Sequence, residues 1–153
     1  MKKKLIMLLS VFAIMMFALA GCGEKTALTS DQFKSKMEEK GYEVQDATSQ
    51  FEGSEGVKKV YIALKDSYQI EFYEMETIEQ AAQAYNGNKA NFEAQKGSSA
   101  TETDVSGKNS AKYTLNSDGR YRAISTIENT FVYLDVESGV KDEVNGVLDE
   151  LGY

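Results

Sequence analysis

The sequence contains no histidine, proline or tryptophan, and Cys22 is its only cysteine. Without histidine or a second cysteine, imidazole-activated nucleophiles and metal sites built from nitrogen or sulfur ligands are excluded. No disulfide can form within the chain, so its fold depends on packing. The residues that remain for chemistry are carboxylates, lysines, two arginines, hydroxyls and tyrosines. We therefore predict no catalytic residue, no cofactor and no metal site.

The first residues have the layout of a secretory signal peptide. Three lysines, Lys2 to Lys4, precede an apolar run from Leu5 to Ala20 whose only polar residue is Ser10. A helix that crosses a bilayer needs about 20 apolar residues. This run is shorter, and its cationic start and small residues at the end are typical of a cleaved signal. A transmembrane anchor is the alternative.

The apolar run ends in LAGC, Leu19 to Cys22. This motif resembles the lipobox of bacterial lipoprotein precursors. The resemblance implies that a diacylglyceryl group is attached to the Cys22 thiol and that a peptidase cuts before Cys22. Two acyl chains on one residue satisfy the two-signal requirement for stable anchoring. The alternative is an ordinary signal peptide with a cysteine near its cleavage site.

Removal of the signal would leave an acidic chain. The predicted organisation is a signal peptide (1–21), a lipidated cysteine with a short linker (22–28) and one domain (29–153). From Cys22 onward there are 14 basic and 24 acidic residues, a net charge of −10. Such a domain is repelled by nucleic acid and by anionic lipid. We predict that acylated Cys22 holds the protein at the membrane and that nucleic acid is not a partner.

Hydrophobic periodicity predicts an α+β domain with the element order α-β-β-β-α-(β)-β-β-β-α. Capping boxes at Thr29 and Thr77 mark the starts of two helices, and alternating apolar residues mark the strands. The strand preceding the turn at 65–67 is predicted to bury Val60, Ile62 and Leu64. About three helices are expected on one face of an antiparallel sheet, with the other face wetted.

A weak internal repeat accompanies this pattern. A shift of 62 positions places Ile70 on Val132 and Phe72 on Leu134, and it also places Ile78 on Val140. If the chain is duplicated, the domain has a pseudo-two-fold arrangement.

The predicted wetted face carries the candidate binding residues, which are Tyr61, Glu71, Tyr73, Arg120 and Arg122. Arginine presents a planar fork suited to carboxylate or phosphate, and exposed tyrosines suit protein or glycan surfaces. The alternatives are that the arginines pair with acids of the sheet and that the tyrosines reflect strand propensity.

The chain as a whole is similar to small lipoproteins of Gram-positive gut bacteria that have no assigned activity. The resemblance lies in the lysine-led signal, in LAGC and in the stretches LTSDQFKSKMEEKGY, KDSYQIEFYEM and LDELGY. It implies a location on the outer face of the cytoplasmic membrane. We predict a non-enzymatic binding module with a protein or glycan partner at the cell envelope. The alternatives are a carboxylate-based hydrolase of envelope polymers and an accessory subunit of a membrane complex.

The lipobox interpretation is tested by Cys22→Ser. Serine cannot accept the thioether-linked diacylglyceryl group, so we expect the precursor to remain unprocessed and labelled fatty acid not to be incorporated. Mass spectrometry and metabolic labelling in a bacterial host measure both effects. Thr26→Ser, in the linker outside LAGC, is the control and should be processed normally. Normal processing of Cys22→Ser would contradict the prediction.

Overall fold

The computed structural model describes residues 23–153. The predicted signal peptide and Cys22 lie outside the described residues. The three helices are α1 (Ser30–Glu39), α2 (Ile78–Ala94) and α3 (Lys141–Leu151). The seven strands are β1 (Glu43–Asp46), β2 (Val57–Lys65), β3 (Tyr68–Met75), β4 (Thr101–Ser106), β5 (Ser110–Ser117), β6 (Arg120–Ile127) and β7 (Thr130–Glu137). The predicted element order is confirmed. Two short 3-10 segments, Thr48–Phe51 and Ser138–Val140, were not predicted.

Local sequence accounts for the helix ends. The Thr29 hydroxyl accepts a hydrogen bond from the Gln32 amide at 3.2 Å, and the Gln32 side chain accepts one from the Thr29 amide at 2.9 Å. Thr77 and Gln80 form the same capping box at the start of α2. The two predicted caps are therefore confirmed. None of the helices in residues 23–153 is both long and apolar enough to cross a membrane.

All strands form one antiparallel sheet in the order β1-β2-β3-β7-β6-β5-β4. The sheet consists of two meanders, β1-β2-β3 and β4-β5-β6-β7, that join where β3 pairs with β7. Helix α2 carries the chain from β3 to the far edge strand β4. Four strand spacings are about 19 Å, and a 17-residue helix is about 25 Å long, so α2 is long enough to cross the sheet.

The helices lie on both faces of the sheet. On one face, Phe33 and Met37 of α1 and Val144 and Leu148 of α3 pack in one hydrophobic cluster with strand residues such as Phe72. On the other face, α2 packs in a second cluster. That cluster includes Ala81, Tyr85, Phe92, Tyr113, Leu115, Ile124 and Phe131. We call these the α1/α3 face and the α2 face. The prediction that the helices share one face is therefore wrong.

The helical part of the predicted repeat is not reproduced. Ile78 is exposed, whereas Val140, its counterpart in the repeat, is partly buried against the α1/α3 cluster. The helices that follow β3 and β7 also lie on opposite faces. The pseudo-two-fold domain with all helices on one face is therefore wrong, and a duplication of the sequence itself stays a prediction.

Val60 is fully buried, as predicted, but strand β2 faces the opposite way from the prediction. Its pairing with β3 places Tyr61 opposite Phe72 and Ala63 opposite Ile70, all within the α1/α3 cluster. Ile62 is only partly buried and lies on the α2 face with its partner Glu71. Because side chains alternate with a period of two, a one-residue difference in register reverses the whole strand.

Phe72 tests how much stability the α1/α3 cluster provides. Its ring is fully buried, stacks on Phe33 at 4.7 Å between centroids and meets Tyr153 edge-on at 6.4 Å. We expect Phe72→Ala to lower the free energy of unfolding by about 3–5 kcal/mol, because truncation leaves a cavity. Urea unfolding followed by circular dichroism measures this loss. The exposed neighbour Gln69→Ala should change stability by less than about 0.5 kcal/mol. Equal effects of the two variants would contradict the assignment.

Candidate functional site

Four of the five predicted binding residues lie together on the α2 face. The strand register places Glu71, Tyr73, Arg120 and Arg122 on that face. Tyr61 is on the opposite face, where it is 7% exposed within the α1/α3 cluster. The assignment of Tyr61 to a wetted binding face is therefore wrong, since its strand is turned over relative to the prediction.

Tyr73 and Glu71 form a local pair rather than an open surface. The Tyr73 hydroxyl donates a 2.6 Å hydrogen bond to a Glu71 carboxylate oxygen. The Tyr73 ring stacks on Phe131 at 4.4 Å and meets Phe51 edge-on at 5.5 Å. Burial, followed by the hydrogen bond to Glu71, raises the pKa of the Tyr73 hydroxyl well above its ordinary value. Tyr73 is thus held by its neighbours and offers little free ring surface.

The two arginines bind one carboxylate on the adjacent strand. Arg120 Nε donates to Asp135 Oδ1 at 2.8 Å, and Arg122 Nε donates to Asp135 Oδ2 at 3.2 Å. Arg120 also donates from Nη1 to Glu137 at 2.8 Å. Although burial opposes it, the hydrogen bonds to Asp135 and Glu137 raise the pKa of Arg120. The structure thus shows the alternative stated for these arginines, cross-strand pairing with acids of the sheet. The acids are Asp135 and Glu137.

The two arginines differ in exposure. The Arg120 side chain is about one-third exposed, whereas Arg122 is 8% exposed. The buried Nη1 of Arg122 has no hydrogen-bond partner among the described residues. Tyr133 lies near both arginines and near the carboxylates of Glu71 and Asp135. Burial, followed by these carboxylates, raises the pKa of the Tyr133 hydroxyl, and the arginines oppose this rise only in part. Arg122 is therefore a buried group held by Asp135, and Arg120 is the accessible one.

The sheet opens beside Arg120. Strands β3 and β7 are paired only from Glu71–Tyr133 to Glu74–Thr130. Continuation of this register would pair Gln69 with Asp135, but the two strands diverge there. A groove of about 590 Å³ lies between them. Its lining residues are Leu64, Asp66, Ser67, Tyr68, Gln69, Arg120, Asp135, Val136, Glu137 and Val140. We call this groove the far-end cleft.

Arg120 caps one strand edge within the far-end cleft. Its Nη2 donates a 2.7 Å hydrogen bond to the main-chain oxygen of Asp135. Asp135 is where the ladder with β3 would have continued, so the guanidinium binds a backbone group at the point of divergence. The cleft thus combines two strand edges, one guanidinium and three carboxylates, those of Asp66, Asp135 and Glu137.

Sequence reasoning missed Asp135 and Glu137, although a signal for them exists. Glu128 and Asn129 form a two-residue turn between β6 and β7. A two-residue turn fixes the register of a hairpin, and here it pairs Arg122 with Asp135 and Arg120 with Glu137. A two-residue turn at Glu128-Asn129, read together with the alternating residues on either side of it, would have placed both acids next to the arginines.

Within residues 23–153, no group of three or more His, Cys, Asp and Glu side chains is arranged to hold a metal ion. No family model, curated protein or solved structure matches the chain. The functional argument therefore depends on the residues and geometry described above.

Asp135→Asn tests whether the cluster is structural at Arg122. Loss of the charge leaves Arg122 buried without its partner, which typically costs about 3–5 kcal/mol of unfolding free energy. Glu137→Gln, the matched control, should cost less than about 1 kcal/mol, because Glu137 is mostly exposed. Urea unfolding compares the two variants.

A double variant separates charge from packing. Asp135→Asn combined with Arg122→Met should be more stable than Asp135→Asn alone, because it leaves no unpaired buried charge. If the double variant were less stable than Asp135→Asn alone, the importance of the Asp135–Arg122 pair would be refuted.

Proposed function

We propose that the chain is a lipoprotein anchored through Cys22 on the outer face of the cytoplasmic membrane, where it acts as a non-enzymatic binding module. The far-end cleft is its binding site. The observation that supports this choice is the divergence of β3 and β7 after four residue pairs. The divergence leaves two facing strand edges around a groove of about 590 Å³.

Strand edges favour an extended polypeptide as the partner. An added strand binds through main-chain hydrogen bonds to unpaired edge groups, and pockets for alternate side chains give specificity. The edges available here are Tyr68–Ile70 of β3 and Leu134–Glu137 of β7, which have no strand partner across the cleft. Three carboxylates and one guanidinium line the cleft, in a domain of net charge −10. Charge complementarity therefore favours an extended segment with basic side chains.

Of the predicted binding residues, Arg120 alone lines the cleft. Arg122 is buried beside it, and Glu71 and Tyr73 bind each other on the neighbouring surface. The proposed site therefore shares only Arg120 with the predicted one and lies at the end of the strands, where Tyr68, Val136 and Val140 of the α1/α3 face also line it.

The hydrolase alternative would use Asp135 and Glu137. Paired-carboxylate glycosidases need one protonated acid that donates to the leaving group. Both carboxylates here accept hydrogen bonds from Arg120, so the same guanidinium engages both of them. This arrangement favours binding over hydrolysis. A role as accessory subunit is a form of the same proposal, in which the partner segment belongs to a membrane complex.

Site-specific cross-linking tests the proposed cleft. A photoreactive amino acid replaces Ser67, an exposed residue of the cleft, or Ser49, an exposed serine in the Thr48–Phe51 segment. We expect the Ser67 variant to give a defined adduct in living cells and the Ser49 variant to give none. Loss of the adduct on protease treatment, but not on muramidase treatment, would identify a polypeptide. An adduct confined to Ser49, or one removed by muramidase, would contradict the proposal.

A further inference from the structure

The linker after Cys22 is bound to the domain. The Lys25 amide donates to Asn109 Oδ1 at 2.9 Å, and Asn109 Nδ2 donates to the Lys25 oxygen at 2.7 Å. Lys25 Nζ donates to the Gly152 oxygen at 2.9 Å, and Lys108 forms an ion pair with Glu24 at 2.6 Å. Burial, followed by the nearby charge of Lys112, lowers the pKa of Lys25. These contacts hold Glu24 and Lys25 on the domain, and Gly23, which immediately follows Cys22, lines a groove beside them.

The bound linker identifies one end of the sheet. Asn109 belongs to the loop between β4 and β5. Its main-chain oxygen accepts a 3.0 Å hydrogen bond from the Glu128 amide in the β6–β7 turn. The next residue, Asn129, accepts from the Met75 amide at the end of β3 at 2.8 Å. We call this the linker end. The far-end cleft lies at the opposite ends of the same strands, about 26 Å away for eight residues.

The linker end also carries the exposed apolar residues. Among residues 23–153, the large hydrophobic side chains classed as exposed are Ile78 and Val105, each 57% exposed. Val105 precedes the last residue of β4, and Ile78 opens α2 shortly after β3 ends at the linker end. Val105 shares a groove of about 540 Å³ with Gly23 and Lys25. Val105 is thus next to the point where the acyl group would be attached, and Ile78 lies at the same end of the sheet, near β3.

Charge at this groove differs from charge on the domain as a whole. The Lys, Asp and Glu side chains that line it are those of Glu24, Lys25, Lys112 and Asp149, two of each sign. The excess of carboxylates that gives the domain its charge of −10 therefore does not extend into this groove. At this groove a bilayer surface meets no excess of side-chain carboxylates, whereas the exposed Glu76, Glu79 and Glu128 of the linker end lie outside it.

We propose that the linker end rests on the lipid bilayer, with Val105 and Ile78 entering its interfacial region. This inference rests on the proposed acylation of Cys22, the residue that immediately precedes Gly23 in the chain. Apolar side chains beside an acyl anchor add to membrane affinity in proportion to the area they bury. The docked linker then orients the domain so that the far-end cleft faces away from the membrane.

The absence of tryptophan makes fluorescence a direct test. Single-tryptophan variants V105W and I78W report on the linker end, and S67W, at an exposed serine of the far end, is the control. Each full chain is produced in a bacterial host, purified from membranes and reconstituted in phosphatidylcholine–phosphatidylglycerol vesicles containing brominated acyl chains. Mass spectrometry first establishes the diacylglyceryl group on Cys22.

We expect brominated lipid to quench V105W and I78W at least two-fold more than S67W, with a blue-shifted emission. Equal quenching of all three variants in acylated protein would overturn the orientation while leaving the anchoring proposal intact. A chain without the acyl group would overturn both proposals. Protection of V105W from acrylamide in detergent, in step with dimer formation, would assign the surface to a second copy and overturn the membrane contact.

Discussion

The short pairing between β3 and β7 is the constraint on which the rest of the structure depends. Its four residue pairs join two meanders into one seven-stranded sheet. Aromatic stacking reinforces it, since Tyr73 of β3 lies on Phe131 of β7 at 4.4 Å. Both strands are central, so each face at the junction must be covered. Residues of α1 and α3 cover Phe72 and Val132, and residues of α2 cover Phe131.

The order of the strands explains why the helices divide between the faces. After β3 the chain must reach β4 at the far edge, and α2 does this by crossing the strands of the second meander. After β7, α3 packs on the face that α2 leaves free, beside α1. Both faces of the central strands are therefore apolar. This explains why Tyr121, Ile124 and Leu134 are buried although they lie on different faces of adjoining strands.

Much of the fold could be predicted from sequence, because its signals are local. Capping boxes, apolar periodicity and turn residues predicted three helices and seven strands in the correct order. The face of β2 could not be read correctly, because Lys65-Asp66-Ser67 was taken as the turn. The structure has a two-residue turn, Asp66-Ser67, with Asp66 at a φ of 51°. A turn that is shorter by one residue shifts the pairing of β2 with β3 by one position, so Tyr61 faces the core opposite Phe72.

The candidate site was harder to predict because it arises from a pairing that fails to continue. Nothing local in β3 or β7 marks where the two strands diverge, since the divergence depends on how two separate meanders meet. Arg120 lies on the same face as Glu71, Tyr73 and Arg122, as the alternation predicted, but the cleft depends on the relation of Gln69 to Asp135, which are 66 positions apart. Non-local pairings of this kind leave no periodic signal in a single sequence.

The ion-pair cluster explains how the cleft stays open without a ligand. A strand edge that leaves its ladder loses hydrogen-bond partners, and a backbone oxygen left without one is destabilising. Arg120 supplies the partner at Asp135, and its guanidinium is in turn held by two carboxylates. A ligand strand that pairs with β7 must displace this bond or bind beside it. If the proposed polypeptide binds in the cleft, Arg120 would restrict the register in which it can add, because the first backbone oxygen past the junction already accepts a hydrogen bond.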